Sequence, residues 1–195
     1  MKKIILSFFS ILFLTQLISA QKKDSCYAGV YLTKEDFLNN IISYKINTGA
    51  KGYKFGFAVP ADWTFEIKII TPDTSMKFKA GSVYGYYECG QVFRYSPERH
   101  ELYAPEDFYK IEEAGNLIIY TSEFVGGNEY FYSLDLTSPI HRLKMKNLEE
   151  DFKNDPEFLR AVKCLNRQEE PGDIVERDAE GHFIINKIYQ KIVKK

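Results

Sequence analysis

The side chains able to do chemistry in this chain are thinly spread. Three histidines, His100, His141 and His182, stand far apart, each among charged or turn-forming neighbours. Zinc ligands come at helical or hairpin spacings such as H-x-x-x-H, so these read as surface histidines and no metal site is expected. Carboxylates gather in Glu149-Glu150-Asp151 and in Glu169-Glu170. Two carboxyl groups roughly 5–10 Å apart can hydrolyse a glycosidic bond, yet a contiguous acidic run on one short helix is ordinarily a solvated face. A hydrolase here would need an acid pair assembled from distant segments. The chain contains no G-x-S-x-G, no phosphate-binding loop and no dinucleotide fingerprint, and Gly81 and Gly126-Gly127-Asn128 read as turns. No catalytic residue is assigned, and no cofactor is expected.

Cysteine and aromatic chemistry are more conspicuous. Cys26, Cys89 and Cys164 allow one disulfide and one spare thiol, and their spacing does not choose the pair. It does exclude a CxxC redox or zinc pattern. "SVYGYYECGQVFRYSP", Ser82 to Pro97, sets Tyr84, Tyr86, Tyr87, Phe93 and Tyr95 around Cys89. It could be a ligand platform with a reactive thiol, or the inside of a sheet. A two-residue turn at Cys89-Gly90 would pair Tyr86 with Phe93 and Tyr84 with Tyr95 on one face, with Tyr87 and Val92 on the other. Gly90 supplies the positive φ such a turn demands. In this register the rings are structural first, with at least one of Tyr86 and Phe93 largely buried.

The ends of the chain bear on where it works. Lys2 and Lys3 precede an apolar stretch from Ile4 to Ile18, followed by Ser19, Ala20 and polar "QKKDS". This is the pattern of a secretory signal, predicted over residues 1–20 with cleavage after Ala20. It is shorter than the roughly 20 apolar residues that span a bilayer, and Cys26 comes too late for lipid attachment. No later segment is long and apolar enough to cross a membrane. Without Lys2 and Lys3 the 26 basic residues become 24 against 27 acidic ones, a net charge of −3 with the signs well mixed. That balance excludes the basic footprint of a nucleic-acid binder. Export to the periplasm or beyond is expected, with 21–195 forming one domain.

Periodicity sets the elements. "YLTKEDFLNN" predicts a strand end and a short helix, with Thr33 and Asp36 spaced as a capping box. "YKFGFAV" sends Tyr53, Phe55, Phe57 and Val59 one way; "TFEIKII" does the same with Phe65, Ile67 and Ile69. A hairpin about Gly126-Gly127 would place Leu117 opposite Leu136, Ile119 opposite Leu134 and Thr121 opposite Tyr132. One looped by Ala114-Gly115-Asn116 would set Ile111 against Ile119. After Pro139 the period changes. "LKMKNLEEDF" and "DPEFLRAVKCL" predict helices, the second capped by Asp155 with Pro156 in its first turn. Its stripe is Phe158, Leu159, Val162 and Leu165. "RQEEPGDIVERDAEGH" is a polar crossing, and "FIINKIYQKIV" puts Ile185, Ile188, Tyr189 and Ile192 on one helix face. The fold class is α+β: an antiparallel meander over 43–136, as a twisted sheet or partly closed barrel, then helices over 140–195.

"VYGYYECGQVFRYSP", "FYKIEEAGNLIIYTSEF" and "EYFYSLDLTSPIHRLKMKNLEEDFKNDPEFLRAV", with the opening "GVYLTKEDFLNN", resemble a family of uncharacterised secreted proteins common in Bacteroidota. The likeness covers most of the chain beyond its signal. It implies the compartment and the single domain, and assigns no activity. Two functions are weighed. One is a non-enzymatic domain binding an envelope protein, a peptide or a glycan, through an aromatic patch or a free sheet edge. The other is a small periplasmic hydrolase, which needs perturbed carboxylates or histidine in a concave pocket. The binder is favoured because no catalytic constellation is visible.

Overall fold

The structure, a computed structural model, describes residues 26–58, 65–97, 107–124, 127–165 and 175–193. The expected signal and its cut, Val59, His100, Gly126, Glu169 and Glu170 lie outside the described residues. The strands are β1 (Tyr27–Tyr31), β2 (Ser43–Asn47), β3 (Lys54–Ala58), β4 (Glu66–Ile70), β5 (Ser75–Lys79), β6 (Gly85–Glu88), β7 (Gln91–Ser96), β8 (Asp107–Ala114), β9 (Ile118–Phe124), β10 (Gly127–Ser133) and β11 (His141–Arg142). The helices are α1 (Lys34–Leu38), α2 (Met145–Asp151), α3 (Pro156–Leu165) and α4 (Ile184–Ile192). The class is α+β and the pairing is antiparallel throughout. From β6 to β11 the strands follow one another as a meander, but β1 lies between β2 and β6, completing an eight-stranded sheet of order β11-β10-β9-β8-β7-β6-β1-β2. β3, β4 and β5 leave it to form a separate three-stranded sheet. The large sheet does not close into a barrel.

Local chemistry explains most of these elements. Thr33 Oγ1 accepts from the Asp36 N–H while Asp36 accepts from the Thr33 N–H, the reciprocal cap that starts α1. In the β6–β7 turn Cys89 has φ +49° and Gly90 φ +90°, the two positive values of a type I′ connection. The β6–β7 register is as read from the sequence: Tyr86 opposite Phe93, Tyr87 opposite Val92.

Three other expectations need correction. Tyr84 precedes β6; its amide carbonyl still accepts from the Tyr95 N–H, but its ring packs on Phe37 and its hydroxyl donates to the Leu136 carbonyl, whereas the Tyr95 ring meets Phe108. The two rings are not a cross-strand pair. The β9–β10 hairpin closes at Phe124 opposite Gly127, so Ile119 faces Tyr132 and Thr121 faces Tyr130. A slip of two residues leaves every side chain on its own face, so alternation alone cannot detect it. Between β8 and β9 the register shifts at Glu112: Ile111 faces Tyr120, Glu113 faces Ile119, and Ala114 closes on Ile118. The extra residue is a β-bulge, which alternation also cannot foresee.

Because residues directly opposite in a sheet share a face, the register defines a row across the large sheet. It runs Val30, Tyr86, Phe93, Lys110, Thr121, Tyr130. Two separate layers cover this face. At the β1–β6 end, Val30 and Tyr86 pack with Ile67 and Ile69 of the small sheet, both fully buried. At the β9–β10 end, Leu117, Ile119 and Tyr132 pack with Leu148 of α2, Phe158 and Val162 of α3, and Ile185 of α4. The expected stripes of α3 and α4 both face this core. Buried Asn186 fixes α4 to the sheet: its Oδ1 accepts from the Leu117 N–H at 2.8 Å and its Nδ2 donates to the Leu117 carbonyl at 3.1 Å. A Cβ at Gly115 would meet that amide at 2.7 Å, so the turn beside it needs glycine.

The reverse face has its own cluster of Tyr109, Ile118, Tyr120, Phe131 and Ile140. Arg94 is buried there, donating to the Tyr120 hydroxyl at 3.0 Å and to the Ser138 carbonyl at 2.6 Å. It thus ties the segment leaving β10 back across the sheet.

Candidate functional site

On this face, over β6 to β9, the row residues Tyr86, Phe93, Lys110 and Thr121 line a cavity of about 310 Å³, completed by Phe65, Phe108, Gln91 and Ser122. Phe65 leads into β4 of the small sheet and forms one wall. The floor is aromatic. Phe93 stacks flat on Tyr86, with centroids 4.2 Å apart and planes at 9°, and Phe108 meets Tyr86 edge-on at 5.1 Å. Tyr86 is buried (6 % exposed) whereas Phe93 and Phe108 are half-buried. The opening alternatives therefore divide between partners. Tyr86 belongs to the core and Phe93 presents part of its ring to the cavity.

Part of the lining is polar. Lys110 Nζ lies 2.8 Å from Glu112 Oε1, Thr121 Oγ1 donates to the same oxygen at 2.9 Å, and Arg177 approaches Glu112 Oε2 at 3.3 Å. Burial raises the Glu112 pKa, but the bonds from Lys110 and Thr121 and the charges of Lys110 and Arg177 outweigh it and hold the group below the ordinary carboxylate range. Glu112 is the bulge residue, so the sheet irregularity brings this carboxylate to the Lys110–Thr121 side. Lys110 thus meets the cavity as a charge already matched.

The turn beside this site is cross-linked. Cys26 and Cys89 form a disulfide, with Cα atoms 4.6 Å apart, tying the start of β1 to the β6–β7 turn. Backbone bonds from the Cys89 N–H to the Tyr27 carbonyl and from the Thr48 N–H to the Cys26 carbonyl flank it. Cys164 is the free, exposed cysteine.

The acidic run does not form a convergent pair. Glu149 pairs with Lys163 at 2.5 Å on neighbouring helices. Asp151 accepts from the Tyr132 hydroxyl at 2.6 Å and lies 2.8 Å from His141 Nδ1, joining α2 to β10 and β11. Burial, followed by the bond to Asp151 and the charges of Asp151 and Glu150, pushes the Tyr132 phenol well above its usual range. His182 is exposed, with Nδ1 3.6 Å from Glu113 Oε1. Among the described residues no three His, Cys, Asp or Glu side chains converge, and no described helix is long and apolar enough to cross a membrane. Among the described residues, no carboxylate lines the cavity.

Sequence reasoning missed Gln91, Phe108, Lys110, Thr121 and Ser122 as neighbours. The signal that could have found them was the cross-strand row, which required the β7–β8 and β8–β9 registers. Comparison of the chain with protein-family models, curated proteins and solved structures finds no match.

Proposed function

We propose that this chain is an exported, non-enzymatic binding domain, with its ligand seated in the cavity over β6 to β9 beside Phe65. The observation that carries the reading is the cavity, in which half-buried aromatic rings and hydrogen-bonding side chains share one lining, at the lower end of the roughly 300–1,000 Å³ of small-molecule sites. The Cys26–Cys89 disulfide fits an oxidising compartment, periplasmic or extracellular. An envelope protein would engage the site through a protruding group; a peptide or a glycan would enter it directly.

Mild isolation of the exported protein from its native envelope tests the reading. Gln91→Trp, which adds bulk at the exposed rim, is expected to lose material that co-purifies with the wild type. Lys163→Trp, on α3, is expected to keep it. Equal retention by both variants would defeat the proposal.

A further inference from the structure

Resting on that reading of the cavity, we infer that its ligand is an uncharged sugar ring of a glycan. Three observations select this chemistry. First, the floor strands β6, β7, β8 and β9 are interior strands, each paired on both sides. Peptides recognised by strand addition take their affinity from free main-chain N–H and C=O groups. Here those groups are already used, so a ligand must bring its own hydrogen-bonding groups to side chains. A sugar ring brings several hydroxyl groups around its rim.

Second, the side chains that would meet them donate or accept without adding unmatched charge. Gln91 offers an amide, the Thr121 hydroxyl, whose proton goes to Glu112, can still accept, and the Lys110 ammonium is matched by Glu112 at 2.8 Å. Drawing an anionic ligand there would mean competing with that pair. A neutral polyol leaves it intact and can still accept from the remaining Lys110 protons.

Third, part of the lining is aromatic, with Phe93 stacked on Tyr86 and Phe108 set edge-on to it. A pyranose has one face of C–H groups and a rim of hydroxyls, which complements half-buried Phe93 and Phe108 beside polar Gln91 and Thr121. The two kinds of contact interleave: rings from Tyr86 on β6, Phe93 on β7 and Phe108 on β8, and polar groups from Gln91 on β7, Lys110 on β8 and Thr121 on β9.

The test is titration of the isotope-labelled protein with the fully N-acetylated chitotetraose, with maltotetraose and with a neutral Ser/Asn-rich tetrapeptide. At least one saccharide is expected to shift the Gln91 side-chain amide and the Thr121 and Ser122 backbone signals, while the peptide does not. Gln91→Ala, at an exposed position, is expected to weaken that saccharide about fivefold to tenfold, the loss of one neutral hydrogen bond. Phe108→Leu removes the ring while keeping an apolar side chain, and is expected to weaken it further. Peptide shifts in the cavity without saccharide shifts would overturn the sugar assignment and leave the cavity as the site. Silence from both saccharides would also overturn it, while envelope co-purification sensitive to Gln91→Trp would show that the cavity reading survives. Saccharide shifts elsewhere would overturn both.

Discussion

Tyr86 and Phe93 stack on each other, yet they occupy different environments. Tyr86 is 6 % exposed and touches Phe55, Phe57, Phe93 and Phe108, whereas Phe93 is half-buried beside the cavity. Truncating a fully buried aromatic side chain costs about 3–5 kcal/mol through lost transfer energy and the cavity left behind. Tyr86→Ala is expected near that range. Phe93→Ala is expected to cost less, about 1–2 kcal/mol, because part of its ring is already wet. Urea unfolding midpoints at unchanged slope measure both, and equal losses would place Phe93 in the core and remove it from the site. This pair was legible because Cys89-Gly90 is a turn with a steric reason, and the turn fixes the register. Gln91 and Thr121 were not, since nothing about an isolated glutamine or threonine marks it as facing a cavity. The disulfide was equally hidden: only the β1–β6 pairing brings Cys26 to Cys89.

The loops and bulges that seat each element depend on carboxylates held in their charged form. Glu112 is held low by Lys110, Thr121 and Arg177 against the opposing effect of burial. Asp178, bonded to Lys187 and to the His182 and Glu180 amides before α4, is held down to about 2. Asp135 is lowered by bonds from Thr137 and Ser138 in the segment after β10. A group whose folded pKa lies below its unfolded value contributes stability above the unfolded value, about 3.9 for Asp and 4.3 for Glu, and loses it as pH falls toward the folded one. Glu88, raised by burial, has the opposite sign. With three groups against one among the described residues, the thermal midpoint is expected to fall between about pH 5 and pH 2. Glu112→Gln should shallow that fall, and a flat or rising midpoint would contradict the assignment. At this scale helices α3 and α4 and the strand faces were readable from period alone. The β9–β10 register was not, because a two-residue slip conserves the alternation. The Glu112 bulge was not, because the residue that breaks a strand's rhythm is set by its partners across the sheet.

Across the whole molecule, the disulfide joins the two ends of a long excursion of the chain. The chain lays down β1, leaves to build β2 and the small sheet, and returns at β6 beside β1, and the Cys26–Cys89 bond closes that 63-residue excursion. Cross-linking a loop of this length restricts the unfolded chain by about 4 kcal/mol in the entropy model, and native disulfides are commonly worth 2–5 kcal/mol. Reduction, or Cys26→Ser together with Cys89→Ser, is therefore expected to lower unfolding free energy by about 2–4 kcal/mol. An unchanged midpoint would mean that the β1–β6 pairing needs no staple. The sequence announced antiparallel strands followed by helices, but not that a small sheet and a helical layer would cover different parts of one sheet face. The return of β6 to β1 is a long-range pairing that no local pattern encodes. The role proposed for the cavity as a ligand site is tested most directly by the amide spectrum of the labelled protein before and after exposure to native envelope extract. Changes centred on Gln91, Phe93, Lys110, Thr121 and Ser122 are the expected result. Changes centred instead on the exposed β2 edge around Tyr44, or on α3 around Cys164, with the cavity signals unmoved, would contradict it.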